Sequence, residues 1–223
     1  MQSLFLTGLP RVGKTTLITK LVSYFQENHP EISLRGFYTE QVISPITKTR
    51  IGFDVISLDG NRGILARKVG NQPDGVNIST RFTVGDYLVD VEEFEKLAIP
   101  TVQFDFNAFD GAKDETTEFG YRNKKVLLVV DEIGKMESFS KDFEDIIRDL
   151  IFEKVSCENI NTDNKKKNCC ILGTVALKFN GGLAREIREA SRFEENVKVW
   201  EVTYQNRNNM VDLVRELEKM LDI

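Results

Sequence analysis

The sequence predicts an α/β fold, a mostly parallel sheet covered by helices on both faces, and three observations carry the prediction. Short apolar runs that read as buried strands alternate with stretches of helical spacing. Two runs, "KKVLLVVDE" (124–132) and "NCCILGTV" (168–175), are apolar almost without a break, as in strands buried on both faces. Near the start, "LFL" (4–6) hands over through a polar, glycine-bearing turn to "LITKLVSYF", a strand, a turn and a helix in succession.

Taken in order, residues 2–7 read as a strand and 14–28 as an amphipathic helix ending before "NHPE". "LRGFYTEQV" (34–42) reads as a strand, "SPITKT" (44–49) as a turn and "RIGFDVISL" (50–58) as its hairpin partner. "DGNRG" marks another turn and "ILARKV" (64–69) another short strand. "VDVEEFEKLAIP" (89–100) has the pattern of a short helix with an acidic face, stopped by Pro100. After the apolar strand at 124–132, "FSKDFEDIIRDLIFEKV" (139–155) has helical spacing and 168–175 is a further buried strand. "GGLAREIREASRF" (181–193) reads as a helix, "NVKVWEVTY" (196–204) as a strand and "RNNMVDLVRELEKMLDI" (207–223) as a closing helix. The hairpins at about 34–70 depart from strict alternation and read as an antiparallel edge or flap of one domain spanning 1–223. Two polar stretches, 104–124 and 157–168, read as solvated insertions, the second carrying the basic run Lys165-Lys166-Lys167.

Composition excludes several classes. With 41% hydrophobic and 29% charged residues and a net charge of -5, the chain is an ordinary globular one, without a global basic field for nucleic acid. The three cysteines, Cys157, Cys169 and Cys170, form no CxxC and support neither a disulfide framework nor a zinc site. The single histidine, His29, stands beside Pro30 past a helix end, where a surface position is expected and a catalytic one is not. No stretch approaches the ~18 apolar residues of a membrane span and no signal peptide is evident, so a cytoplasmic protein is expected, with the nucleus left open, and a monomer.

The chemistry is concentrated in "GLPRVGKTT". Gly8-x-x-x-x-Gly13-Lys14-Thr15 matches the P-loop (Walker A) pattern in full, with a strand before it and a helix after. Two glycines let backbone N–H groups approach phosphate oxygens, and the helix beginning at Lys14 adds its positive end. Lys14 suits the β- and γ-phosphates and Thr15 suits Mg²⁺, while Leu9, Pro10, Arg11, Val12 and Thr16 complete the nucleotide-binding loop. The second half of such a site is a buried strand ending in a carboxylate, supplied by "KVLLVVDE". Asp131 is the expected metal-side acid and Glu132 the group that orients or deprotonates a water. Thr174, at the end of its own strand, suits sensing of the γ-phosphate. A further cation is expected for transition-state charge, with Lys178, Arg185, Arg188, Arg192 and Arg207 as candidates.

Behind that P-loop, in order, come "GFYTEQV" (36–42), "RIGFDVISL" (50–58), "VGDYLVDVEEFEKLAIP" (84–100), "DEIGKMES" (131–138) and "TYQNRNNM" (203–210). Together they resemble the THEP1 family of nucleoside-triphosphatases over most of the chain. The resemblance implies a RecA-like P-loop fold and Mg²⁺-dependent hydrolysis of ATP, GTP and other nucleoside triphosphates with broad base tolerance. It implies that Gly8 to Thr16 is the phosphate loop, Asp131 the metal-side acid and Glu132 the base. It adds Lys135, inside the signature, and raises Arg207 above the other arginines through the pair Asn206-Arg207. The chain departs from the family in its longer 104–124 and 157–168 segments and in "VALKFNGG" after the sensing strand, where a Pro-Arg-Lys-like stretch is usual.

Two other readings use the same loop. A nucleotide or nucleoside kinase would need an arginine-rich lid, for which Arg185, Arg188 and Arg192 are available. A nucleotide-switched, RNA-associated regulator would use the lysine run and the long insertions.

Overall fold

The computed structural model of the protein describes residues 1–73, 75, 78–103, 125–152 and 169–223. The 104–124 and 157–168 segments, with Cys157 and the lysine run, lie outside the described residues. The chain runs β1 (Gln2–Thr7), α1 (Lys14–Asn28), β2 (Ser33–Ile43), β3 (Arg50–Ser57), β4 (Arg62–Lys68), β5 (Thr83–Val84), β6 (Tyr87–Val89) and α2 (Val91–Val102). It continues with β7 (Val126–Ile133), a 3₁₀ turn at Glu137–Phe139, α3 (Lys141–Phe152), β8 (Cys169–Val175), α4 (Gly182–Ala190), β9 (Val197–Glu201) and α5 (Met210–Leu221).

Among the described residues all nine strands join one sheet in the order β5-β6-β4-β3-β2-β7-β8-β1-β9. The pairs from β2 through β7, β8 and β1 to β9 are parallel, and those from β2 outward to β5 are antiparallel. The fold is thus a mostly parallel, mixed P-loop α/β sheet, in which β8 stands between the strand that feeds the glycine turn and the strand that carries Asp131 near its carboxyl end. Alternation along the central strands feeds two cores. Leu4, Leu6, Leu127 and Val129 point to the face covered by α1 and α5, while Phe5, Leu128 and Val130 point to the face covered by α2, α3 and α4. The antiparallel strands pack one face under α2, through Val55, Leu65 and Val89.

Strand β2 is the seam. Its first half pairs with β7 and its second half with β3. Gly36, at φ 108°, sits at the changeover, and a Cβ there would lie 1.9 Å from the Val129 carbonyl oxygen. Only glycine fits so close a backbone approach. Phe37, one residue on, packs edge-on to Phe94 of α2, which packs edge-on to Phe143 of α3, so an aromatic cluster closes the core over the seam.

The structure departs from the sequence reading in three places. Of the two readings of the hairpins, edge or flap, the structure shows the edge, and the hairpins extend further than expected, through β5 and β6, which are too short for period-two alternation to reveal. Pro100 does not stop α2, which runs on to Val102. The proline removes one hydrogen bond in the last turn, to the carbonyl of the exposed Lys96, and buried Val102 anchors the end. His29 is no simple surface residue: its ring leans on Phe25 and its nitrogens lie 3.2 and 3.3 Å from Glu31 and Glu218. In agreement with the sequence reading, Cys169 and Cys170 are free and buried in β8, and burial pushes the Cys169 thiol up to about 12.

Candidate active site

Strand β1 delivers the glycine turn to the carboxyl end of the sheet. Thr7 is buried there and its hydroxyl donates to the Val175 carbonyl at 3.1 Å, tying the ends of β1 and β8 together. Gly8 adopts φ 144°, and a Cβ on it would meet the Val202 carbonyl oxygen at 2.4 Å. Gly13, at φ 110°, is the N-cap of α1 and offers no side-chain cap; the first turn carries no acidic residue. The opening N–H groups of α1 therefore keep their positive field for an incoming anion. Buried Val12 pins the loop to the core. Arg11, a non-glycine residue at φ 65°, holds the strained conformation that the tight turn demands. The Lys14 ammonium donates to the Gly8 and Leu9 carbonyls at 3.2 and 3.4 Å, folded over the loop mouth.

Asp131 lies near the carboxyl end of β7, two residues before its last, and is almost wholly buried. The Thr174 hydroxyl donates to its Oδ1 at 2.7 Å, and the Thr39 amide reaches its Oδ2 at 3.4 Å. Burial pushes the carboxyl up from its ordinary value; hydrogen bonds from Thr174, Thr15 and Thr39 and the Lys14 charge pull the other way. Burial also raises Glu132, and the neighbouring Asp131 adds to it, with Lys14 and Arg50 opposing. A third carboxyl, Glu137, is buried behind the pair. It accepts from the Gly134 amide at 3.1 Å, and burial followed by the Glu132 charge holds it well above the ordinary carboxylate range.

A cleft of about 400 Å³ opens over the loop. Pro10, Arg11, Gly13, Lys14, Thr15 and Thr16 form its floor, and Glu132 and Thr174 one wall. Gln41, Arg50 and Phe53, from the hairpin side of the sheet, line the same cleft, and the sequence reading did not single these out. No periodicity marks them; they reach the cleft because β3 lies next to β2 and β2 next to β7. Leu9 is exposed, and Gly8 and Val12 shape the loop from beneath.

The other candidate cations do not line the cleft. Arg188 donates to the Ala176 and Phe179 carbonyls at 2.5 and 2.6 Å and so braces the segment after β8. Arg185 pairs with Glu189 along α4, and Lys135, Lys178 and Arg192 are exposed. Arg207 stacks on Tyr204, 5.3 Å from the ring centre, in the segment after β9. Its neighbour Asn206 holds that segment's shape, accepting from the Thr203 amide at 2.7 Å and donating to the Glu201 carbonyl at 2.8 Å.

Among the described residues no cluster of three or more His, Cys, Asp or Glu forms a cage of metal ligands. The hard donors at hand are the Thr15 hydroxyl and the Asp131 carboxylate, whose pKa Thr15 helps to lower. That sparse oxygen set fits Mg²⁺, which keeps several waters and takes the rest of its shell from phosphate, and does not fit an all-protein cage. No helix among the described residues is long and apolar enough to cross a membrane.

A family model described as NTPase matches residues 3–215. The cancer-related nucleoside-triphosphatase of Homo sapiens is 38% identical over 207 residues, covering 93% of this chain and 91% of that protein. The nucleoside-triphosphatase THEP1 of Aquifex aeolicus is 32% identical over 217 residues, covering 97% and 99%. The crystal structure of THEP1 from the same hyperthermophile superposes with a TM-score of 0.66 at 27% identity, covering 99% of both chains. The solution structure of a human cancer-related nucleoside triphosphatase gives 0.65 at 33% identity, covering 98% of both.

Proposed function

The chain belongs to the NTPase family, and on that premise we propose that it hydrolyses nucleoside triphosphates, ATP and GTP among them, to the diphosphate and phosphate with Mg²⁺ as cofactor. The observation that carries the proposal is one cleft floored by an N-terminal helix end and lined by Lys14, Thr15 and Glu132. Broad base tolerance follows from a floor whose polar groups suit phosphate, which every nucleotide shares.

The backbone N–H groups from Gly8 to Thr16 bind the phosphates, and the Lys14 ammonium leaves the Gly8 and Leu9 carbonyls to meet the terminal oxygens. Glu132 orients a water in line with the γ-phosphorus. The bond from the water oxygen to phosphorus forms as the bond to the β–γ bridging oxygen breaks, and the water's proton passes through the Glu132 carboxylate to the released phosphate. Thr15 and Asp131 would hold Mg²⁺, which when bound neutralises charge on the β- and γ-phosphates. Thr174 keeps Asp131 aimed from the neighbouring strand. Arg207, stacked outside the cleft lining, is assigned to the outer part of the nucleotide.

The test is phosphate release with Mg²⁺ and a set of nucleoside triphosphates, for wild type beside Glu132→Gln and Lys14→Ala. Wild type is expected to turn over several of them. Glu132→Gln is expected to keep nucleotide binding and lose at least about 10²-fold in rate, and Lys14→Ala to lose both. A wild type that binds nucleotide and releases no phosphate overturns the proposal.

A further inference from the structure

We infer that Arg50 is a catalytic arginine of this chain: its guanidinium, presented by the antiparallel half of the sheet into the cleft it shares with Glu132, meets the γ-phosphate and neutralises charge as the phosphate departs. The inference rests on the triphosphatase reading above and names the group that reading leaves open. In-line phosphoryl transfer spreads charge over the terminal oxygens, and a cation placed there in the transition state is worth about 10³- to 10⁵-fold in rate. Lys14 is one such cation. The sequence offered five more, and none of them lines the cleft. Arg50 lines it together with Lys14, Thr15 and Glu132.

The surroundings of Arg50 are built to hold a guanidinium and leave its terminal nitrogens available. Its Nε donates to the Tyr87 hydroxyl at 3.0 Å. Its plane stands over two rings, 4.7 Å from the centre of Phe53 and 5.5 Å from that of Tyr87. Two aromatic faces and one hydroxyl fix orientation without cancelling charge. The other arginines of this sheet region are treated differently: Arg62 and Arg67 are both ion-paired with Asp54. No described carboxylate makes an ion pair with Arg50, and the nearest acidic influence is electrostatic, from Glu132.

The backbone supports the same assignment. Val42 faces Gly52 across the β2–β3 pair and Ile43 faces Arg50, so β3 carries one extra residue, Ile51. A bulge of this kind re-aims the side chain beside it, and it falls next to the stretch of the hairpin, Gln41, Arg50 and Phe53, that borders the cleft. Tyr87 comes from β6, beyond β4 in the sheet, which makes the outer antiparallel strands a mount for this arginine. Tyr87 and Phe53 are positioning residues, and Arg50 is the group that touches substrate.

The test compares wild type with Arg50→Ala, Arg50→Lys and Tyr87→Phe in two assays. The first is steady-state hydrolysis. The second is binding of the nucleoside diphosphate with Mg²⁺, alone and with aluminium fluoride, which mimics the phosphate in flight. Arg50→Ala is expected to lower kcat about 10³-fold. Its diphosphate affinity should stay within about threefold of wild type, while the extra affinity gained with aluminium fluoride is lost. Arg50→Lys is expected to recover part of kcat, because a point charge replaces a planar fork. Tyr87→Phe is expected to lower kcat about 10-fold with KM unchanged. An Arg50→Ala protein that melts like wild type and keeps kcat within about threefold overturns the inference, as does one that loses diphosphate and fluoride-complex affinity equally. A wild type without hydrolysis overturns the triphosphatase reading itself, so the two failures are separable.

Discussion

The parallel and antiparallel halves of the sheet do different work with different materials. The parallel half, β2, β7, β8, β1 and β9, is covered by helices on both faces and contributes backbone, hydroxyls and carboxylates at its carboxyl end: the glycine turn, Thr15, Asp131, Glu132 and Thr174. The antiparallel half packs mainly one face under α2 and contributes long side chains, Gln41, Arg50 and Phe53, from the flank. Main-chain groups cannot be changed by substitution without changing the fold, whereas flanking side chains can. Under the proposed function, phosphate recognition and the water-orienting Glu132 fall to the parallel half, and the antiparallel half adds Arg50 from the flank.

Changing the seam gives the largest expected effect, because it removes both halves together. Gly36→Ala would set a Cβ against the Val129 carbonyl at a backbone angle alanine disfavours, at a cost of about 4 kcal/mol or more. Thermal unfolding should show one transition about 10 °C lower rather than two. Two separated transitions would mean that the halves are independent units.

Asp54→Ala tests the antiparallel half by itself. Asp54 and Arg67 are both about nine-tenths buried and ion-paired, and removing the acid strands the arginine, a loss of about 3 kcal/mol. Adding Arg67→Met should restore most of that stability in chemical denaturation, with nucleotide affinity unchanged throughout. Lost affinity would join the halves more tightly than the comparison allows.

Arg148→Ala, on the parallel side, is the counterpart at the surface and the smallest effect. Arg148 links α3 to α4 through Glu186 at 2.8 Å and holds that carboxyl below its ordinary value. The folded state thus favours the ionised acid: the contribution is present above the ordinary carboxylate pKa and is lost as pH falls through the lower folded value. Both partners are partly exposed, so the variant should lose about 0.3 kcal/mol at neutral pH, with the gap to wild type closing below about pH 4.5. A gap that persists at pH 3 would assign the loss to packing of the arginine stem.

How much of this the sequence disclosed follows the same division. Strands buried on both faces declare themselves as unbroken apolar runs, so β7 and β8 were legible, and the phosphate turn is a backbone requirement written in glycines. Strands β5 and β6 were not, because strands so short carry no period. Arg50 was passed over for a deeper reason. Its relation to Glu132 is created by strand order, and no local pattern separates it from Arg185 or Arg188 on a helix face. Pro100 was misread because a proline's effect depends on how many helical bonds remain after it.

One detail at the seam gains meaning in this light. The backbone ladder between β2 and β7 ends at Phe37 and Val130, and the next rung is the Thr39 amide on the Asp131 carboxylate. The ladder is thus finished by a side chain, and that side chain is the one a cation would claim. Under the proposed assignment of Asp131 to Mg²⁺, closure of the sheet and occupancy of the site would share one carboxylate, so a substitution at Asp131 is expected to change cohesion and ligand capture together.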